Sequence, residues 1–580
     1  MILTNNSPAC DMKNNNKNIE FLSVKKPLSK HNDNDKILIK KAEVVLFDIG
    51  IKDGSKINLI INSILKFSVI SPDMTDGIYP DFFSPILQFD DFFISILINN
   101  FVPFKFIQSG EYSFSMEFDP ADSLNIEFSI FKNLESLIKS RCKNMPEKLT
   151  VNKFREIGII IDLEYFSTKD INFSRMKNFF YNMPLFILIK SINKSIDRYL
   201  MHDLDGFFGK LKLNDIPFII DIQYFQPDNE NETDNSERKI NCSGYYIEHD
   251  SAAIEERIFA NKQISDQDIV IFSDKKIPDM KTKLLVTVSG NGNTFHLIEQ
   301  HYLNAASDIF LIFKDVELNG HIKSYHALFL PLLFVTGFFI VYDLLYSFIR
   351  NDKLKKAFLD IIKMKYMLRI IFDNALTGYV SNGIMPLKKI KSENEPSGFF
   401  LGNDLYISLI TEKVFNKVFY IPDETLSFYC LTTNSNMNRT GFFSYKGKER
   451  HLLFQRNESV VILNSGNEYG KLISSEIKVC IHTRKNISRA ITEKAGVDII
   501  IHKINLKLLK NKTVISYSSD SNLNLNRKVA FHITGAHLSP DIEFEDKKIH
   551  PYKTGNEFIE FSIVNSTNDC TITVFDNKND

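Results

Sequence analysis

Tryptophan is absent from the 580 residues and glycine is scarce, at 23 against the roughly 7% of an ordinary chain. The aromatic content is instead 50 Phe and 21 Tyr, so the cores must be built from Phe and Ile. Cysteine is also rare: Cys10, Cys142, Cys242, Cys430, Cys480 and Cys570 stand singly, without a C-x-x-C pair. That excludes a disulfide-stapled framework and fits a reducing compartment. Charge of one sign is missing too, since 70 Lys plus Arg face 71 Asp plus Glu. With no global field to hold a polyanion, nucleic acid and anionic lipid are poor partners. The start, MILTNNSPACDMKNNN, lacks the basic head and apolar run of a secretory signal, and a cytoplasmic location is the default expectation. No internal repeat of fixed period is present, which argues against a solenoid.

What is present is a chain of ordinary globular composition, 44% hydrophobic and 24% charged, long enough for about three to four domains. The abundance of Ile, Lys, Asn and Phe is what AT-rich codon usage produces and suggests a bacterial source. Residues 1–36 are polar and Asn-rich, and predict a disordered tail. Residues 37–240 then read as a β-rich stretch followed by an α+β region. ILIKKAEVVLFDIGI, KINLIINSILKFSVI and EYSFSMEFD supply strands, REIGIIIDLEYF another, the 172–200 stretch a helix, and DGFFGKLKLNDIPFIIDIQYF a further strand. A polar seam at 227–239 precedes a central mixed region, 241–395, and a second at 385–398 precedes a β-rich region, 396–580, of sandwich character. The expected fold class is α+β, multidomain, with β-rich modules flanking a mixed α/β centre.

The longest apolar stretch, residues 327–349, has an uncharged run of only sixteen residues, Ala327–Tyr342, against the ~20 a spanning helix needs. A buried core segment is the favoured reading, and membrane insertion is not expected. Motifs for chemistry are thin. VTVSGNGNT, with Gly290 and Gly292, completes neither G-x-G-x-x-G nor a phosphate loop, and Thr287 stands where a nucleophile elbow around Ser289 would need glycine. It reads as a hairpin turn between two strands. The pairs His296/His301 and His321/His326, with His482 and His502, lack metal-ligand spacing. Asp90/Asp91 and Asp203/Asp205 suit turns and helix caps. The reading therefore assigns no catalytic residue, metal or cofactor.

Two phrases resemble the TssF family of bacterial type VI secretion baseplates. In TFHLIEQHYLNAASDIFLIFKDVEL, residues 294–318, the family's L-L-Q-E-Y-F phrase, Phe-Pro-Glu-Lys turn and F-L-F-F strand are matched in kind by Leu297, Ile298, Tyr302, Leu303, Asp308, Phe310, Leu311 and Phe313. In GNDLYISLI and TLSFYCLTTNSNMN, Thr425, Leu426, Ser427, Leu431, Thr433 and Asn434 fall at the spacing of the family's T-L-S-V-x-x-L-C-T-N-R-D-L-P phrase. The resemblance implies a structural, non-enzymatic virulence component near the membrane-proximal secretion machinery. It would assemble with TssG-like and TssK-like subunits, a second copy of itself and the spike hub. It makes Leu297, Tyr302, Asp308, Phe310, Phe313, Thr425, Leu426, Ser427, Leu431, Thr433 and Asn434 core or assembly candidates. The competing expectation is a secreted effector or membrane-active toxin using 327–349.

Overall fold

The computed structural model describes eight strands between residues 9 and 131, residues 138, 139 and 142, the elements of a central barrel between 157 and 341, and most of 328–575. The chain divides into two compact units, residues 1–147 with 303–305 and 379–384, and the remainder.

The first unit holds two four-stranded antiparallel sheets. One runs Ala9–Asn14, Asp122–Phe131, Gly110–Phe118, Ile64–Ile70, and the other Ile19–Lys25, Val45–Ile51, Phe93–Ile98, Ile86–Asp90. Two of these strands fall within the stretch expected to be a disordered tail. Ala9–Asn14 pairs with Ile126–Phe131 and Ile19–Lys25 with Leu46–Ile51. Composition misjudged them because a strand takes its backbone partners from distant residues, whatever its neighbours in sequence.

In the second unit eight parallel strands close into a barrel in chain order: Ile157–Asp162, Leu185–Lys190, Phe218–Asp221, Gly244–Tyr246, Val270–Ser273, Thr282–Thr287, Ile309–Phe313 and Gly337–Val341. The last pairs with the first, Phe339 opposite Gly158. Strands such as IGIIID, LFILIK and IFLIF are apolar at successive positions because a parallel barrel covers both faces of its sheet. Helices Phe173–Phe179 and Arg198–Leu213 connect the first three strands, and Thr294–Leu303 leads into the seventh. This corrects three readings. The 172–200 stretch contains a strand, 206–213 is helical, and VTVSGNGNT joins a strand to a helix, because parallel neighbours need a crossover where a hairpin would reverse the chain. Residues 227–239 lie outside the described residues, flanked by the third and fourth barrel strands.

The interior is a packed core. Phe186, Phe310 and Phe339 meet there, with ring centroids 5.0 Å apart for Phe186–Phe339 and 5.9 Å for Phe310–Phe339. Gly158 makes room for them, since a Cβ there would come within 2.5 Å of Phe339 and 2.7 Å of Phe186. Gly158→Val should therefore overpack the barrel and cost about 1–3 kcal/mol in urea unfolding. A melt identical to the parent's would show that the rings are not packed this closely. Outside the barrel, Phe358 of the helix Asp352–Met367 gathers Phe329, Phe338, Phe348, Phe179 and Phe180 within 6.1 Å. The phenylalanine richness of the sequence thus fills both layers.

The apolar segment 327–349 becomes a 3-10 turn Leu330–Phe334, the eighth strand and the start of helix Tyr342–Arg350. Its apolar residues are largely buried within the protein. Among the described residues no helix is long and apolar enough to cross a membrane.

After helices ending at Asn382, strands Leu387–Lys391 and Pro396–Leu401 pair as the beginning of a six-stranded sheet, part of the stretch read as a seam. Two further sheets, of five and six strands, enclose one core that includes Ile462, Val479, Ile504, Ile515, Phe531 and Phe561. The coarse expectation of a multidomain, β-rich α+β protein agrees with this architecture.

Candidate functional site

Parallel (β/α) barrels place their chemistry at the carboxyl ends of the strands, where the loops following them converge. The interior side chains make that end legible here. Gly158, Phe186 and Phe339 share one level; Ile160, Leu188, Ile219 and Val341 share the next. Alternation along a strand then brings Asp162 and Lys190 to the same face one level higher, in register with each other and half-buried. The apolar filling stops at the mouth of the barrel and charge begins. Asp221 and Tyr246, in register at the ends of the third and fourth strands, stand at the same end of the sheet. In chain order Glu248 and Asp250 follow the fourth strand and Asp274 the fifth; these three lie outside the described residues.

Such an arrangement can hold a polar substrate over a dry floor, with the Asp162 carboxylate for proton transfer or attack and the Lys190 ammonium for a hydroxyl or leaving oxygen. The sequence reading missed these positions, although a signal existed. Three apolar strands, IGIIID, LFILIK and FIID, each end in a charged residue.

The residues singled out by resemblance lie elsewhere. Leu297 is exposed on helix Thr294–Leu303, whereas Tyr302 is fully buried and its hydroxyl donates to the Phe334 carbonyl at 2.7 Å. Phe310 and Phe313 are buried in the seventh strand, Phe310 among the interior rings and Phe313 against Phe329 and Phe338. Ser427, Leu431, Thr433 and Asn434 belong to the hairpin Phe428–Met437 of the six-stranded sheet and its approach. The Ser427 carbonyl accepts from Asn457 N, the Leu431 amide donates to Leu453 O, and Thr433 Oγ1 lies 2.7 Å from Ser435 Oγ. Asn434 closes the turn at φ 53°, a conformation asparagine tolerates better than most residues. Asp308, Thr425 and Leu426 lie outside the described residues.

A second titratable cluster is buried in the C-terminal sandwich. Arg527 forks onto Glu493 with Nη1–Oε2 and Nη2–Oε1 at 2.7 and 2.8 Å, and its Nε donates to Ser474 O. His502 lies 2.9 Å from Glu493 through Nε2 and 2.9 Å from the Tyr517 hydroxyl through Nδ1. Burial pushes the Glu493 carboxyl up, but the hydrogen bonds from Arg527 and His502 outweigh it and hold it down to about 2. Glu560 is likewise raised by burial and brought down to about 2 by His532 and Lys478. Both groups are enclosed by sheet residues, so they brace the fold. Burial pushes the Cys480 thiol up to about 12, leaving it inert as a nucleophile. Among the described residues no group of three or more His, Cys, Asp or Glu could hold a metal ion.

These carboxyls make stability acid-sensitive. Each is depressed in the folded state relative to 4.5, so its contribution is present above pH 4.5 and is lost as pH falls from there towards 2. Urea midpoints should fall steeply between pH 4.5 and 2; a flat profile across that window would contradict the ion pairing.

No protein-family model matches the chain, and no curated protein matches its sequence. Solved structures do match its fold. A Flavobacterium johnsoniae GH31 dextranase complexed with glucose aligns over 95% of this chain and 87% of its own, at 9% identity and TM-score 0.58. The GH31 α-xylosidase of Xanthomonas citri aligns over 98% and 78%, at 10% identity and TM-score 0.52. An endoplasmic-reticulum glucosidase II complex aligns over 92% and 78%, at 11% identity and TM-score 0.54. These matches overturn the expectation of a TssF-like, type VI baseplate component, and with it the alternatives of effector or toxin. They also overturn the expectation of a non-enzyme, because the shared architecture is one that glycosidases use. The two phrases misled because short apolar words recur wherever a buried strand follows a helix or a hairpin enters a sheet. At this level of identity, what the chain shares with the dextranase, the xylosidase and glucosidase II is a fold: a closed parallel barrel accompanied by β-sheet regions before and after it.

Proposed function

We propose that this protein is a carbohydrate-processing enzyme that cleaves or transfers glycosyl groups at the carboxyl-terminal mouth of its barrel. The supporting observation is the alignment of nearly the whole chain, barrel and flanking β-regions together, with enzymes whose substrates are saccharides. The mouth offers chemistry of the right kind. Glycosyl transfer needs one carboxyl group to protonate the departing oxygen and a second carboxylate to attack the sugar or activate water. Asp162 and Asp221 end barrel strands, and chain order adds Glu248, Asp250 and Asp274 after neighbouring strands. Lys190, level with Asp162, is placed to bind a sugar hydroxyl.

The test is incubation of the purified chain with glucose- and xylose-containing oligosaccharides, with products resolved by chromatography. Asp162→Asn should lower kcat by about 10²-fold or more if that carboxylate moves a proton in the reaction. Lys190→Met should act mainly on KM. Absence of both hydrolysis and transfer across the panel would overturn the proposal.

A further inference from the structure

The last six-stranded sheet has one face in the sandwich core and one in solvent. Ile504, Leu506, Ile515, Tyr517, Cys570 and Ile572 point inward, so the residues alternating with them form the outer face. Across that face Ser488, Asn505, Ser516 and Thr571 stand in one row, each in register with the next on four adjacent strands. Ser488 Oγ donates to Asn505 Oδ1 at 2.5 Å. One row along, Lys503, Ser518 and Asp569 are in register; on the other side Thr573 faces Glu543. The short side chains of the middle row and the longer ones around it leave an open trough of about 480 Å³.

We propose that this trough is a second saccharide-binding site, separate from the barrel mouth. The inference rests on the reading of the protein as carbohydrate-processing, and adds to it a place where a chain of sugars is held without being cut. Of that row Asn505, Ser516 and Thr571 line the trough, and with strands about 4.8 Å apart they span roughly 10 Å, the reach of a short oligosaccharide. The row presents hydroxyls and an amide, each able to donate and accept, at a spacing suited to a polyol. Glu543 and Asp569 add acceptors for sugar hydroxyls. Tyr517 and Cys570 also line the trough but belong to the sandwich core beneath it, and the other lining residues are polar, which disfavours an apolar ligand. The Lys503 ammonium is 3.5 Å from Asp520 and the surrounding charges are mixed in sign, which disfavours a strongly charged one.

The experiment is affinity electrophoresis of the full chain in gels containing dextran or soluble starch. The parent and Asp162→Asn should be retarded alike, and Ser516→Arg, which fills the trough from a half-buried position on its floor, should bind at least tenfold more weakly. Asn505→Ala and Thr571→Ala provide milder variants, expected to weaken binding severalfold, should the arginine disturb folding. Retardation of Ser516→Arg, Asn505→Ala and Thr571→Ala equal to the parent's would overturn the site, as would loss of all retardation in Asp162→Asn. If the parent turns over oligosaccharides but neither polysaccharide retards it, the trough proposal fails and the barrel reading stands. Retardation that depends on the trough, without turnover on any substrate, supports the trough and sinks the barrel reading.

Discussion

Arg527→Met should destabilise the C-terminal sandwich by about 3–5 kcal/mol, the largest effect expected from any single polar substitution described above. The side chain lost is 4% exposed, and the carboxylate it leaves behind, Glu493, is 2% exposed. Removing the guanidinium deletes both arms of a bidentate pair and the bond to Ser474 O. His502 alone would then face a buried anion, and either that anion takes up a proton or the sheets part to let water in. The double variant Arg527→Met with Glu493→Leu should cost less than Arg527→Met by itself, because no charge is left stranded. Without tryptophan as a probe, urea unfolding is best followed by far-ultraviolet circular dichroism together with hydrogen exchange in strands 487–495 and 527–534. If the double variant is as damaged as the single one, the cost comes from packing and the ion-pair account is wrong.

Phe310→Ala should cost a similar ~3–5 kcal/mol, for a different reason. Its ring fills the barrel interior with Phe186 and Phe339, centroids 6.3 and 5.9 Å away. Those neighbours belong to strands locked in the closed sheet and cannot collapse into the space. Phe313→Ala, on the outer face, should be comparably harmful, since Phe313 packs at 5.7 Å from Phe329 and 6.1 Å from Phe338. Phe310→Leu preserves most of the volume and should cost under about 1.5 kcal/mol. Thermal unfolding of the three variants decides the matter. If Phe310→Ala melts like the parent, the interior is not packed around this ring. Under the proposed function, loss of this ring from the interior should also lower oligosaccharide turnover.

The strength of local patterns decided how much could be read in advance. The buried strand Ile309–Phe313 and the β-rich character of the chain after residue 396 were legible, because alternation, apolar runs and turn residues are properties of neighbours in sequence. An incomplete run of sixteen uncharged residues also argued correctly for a buried segment at 327–349, since the length of an apolar stretch is itself local. The sequence by itself therefore determined which residues avoid water and roughly where the chain turns. Only the tertiary structure decided that IGIIID, LFILIK, FIID and IFLIF are strands of one closed parallel barrel, because pairing between strands depends on residues far apart in the chain. Parallel pairing of the first two strands is also what puts Asp162 and Lys190 side by side at one end. Seen singly, each is a charged residue after an apolar run, as common at a strand end as anywhere. The register that aligns them, and the apolar layers that end beneath them, are long-range facts, and the candidate site exists only through them.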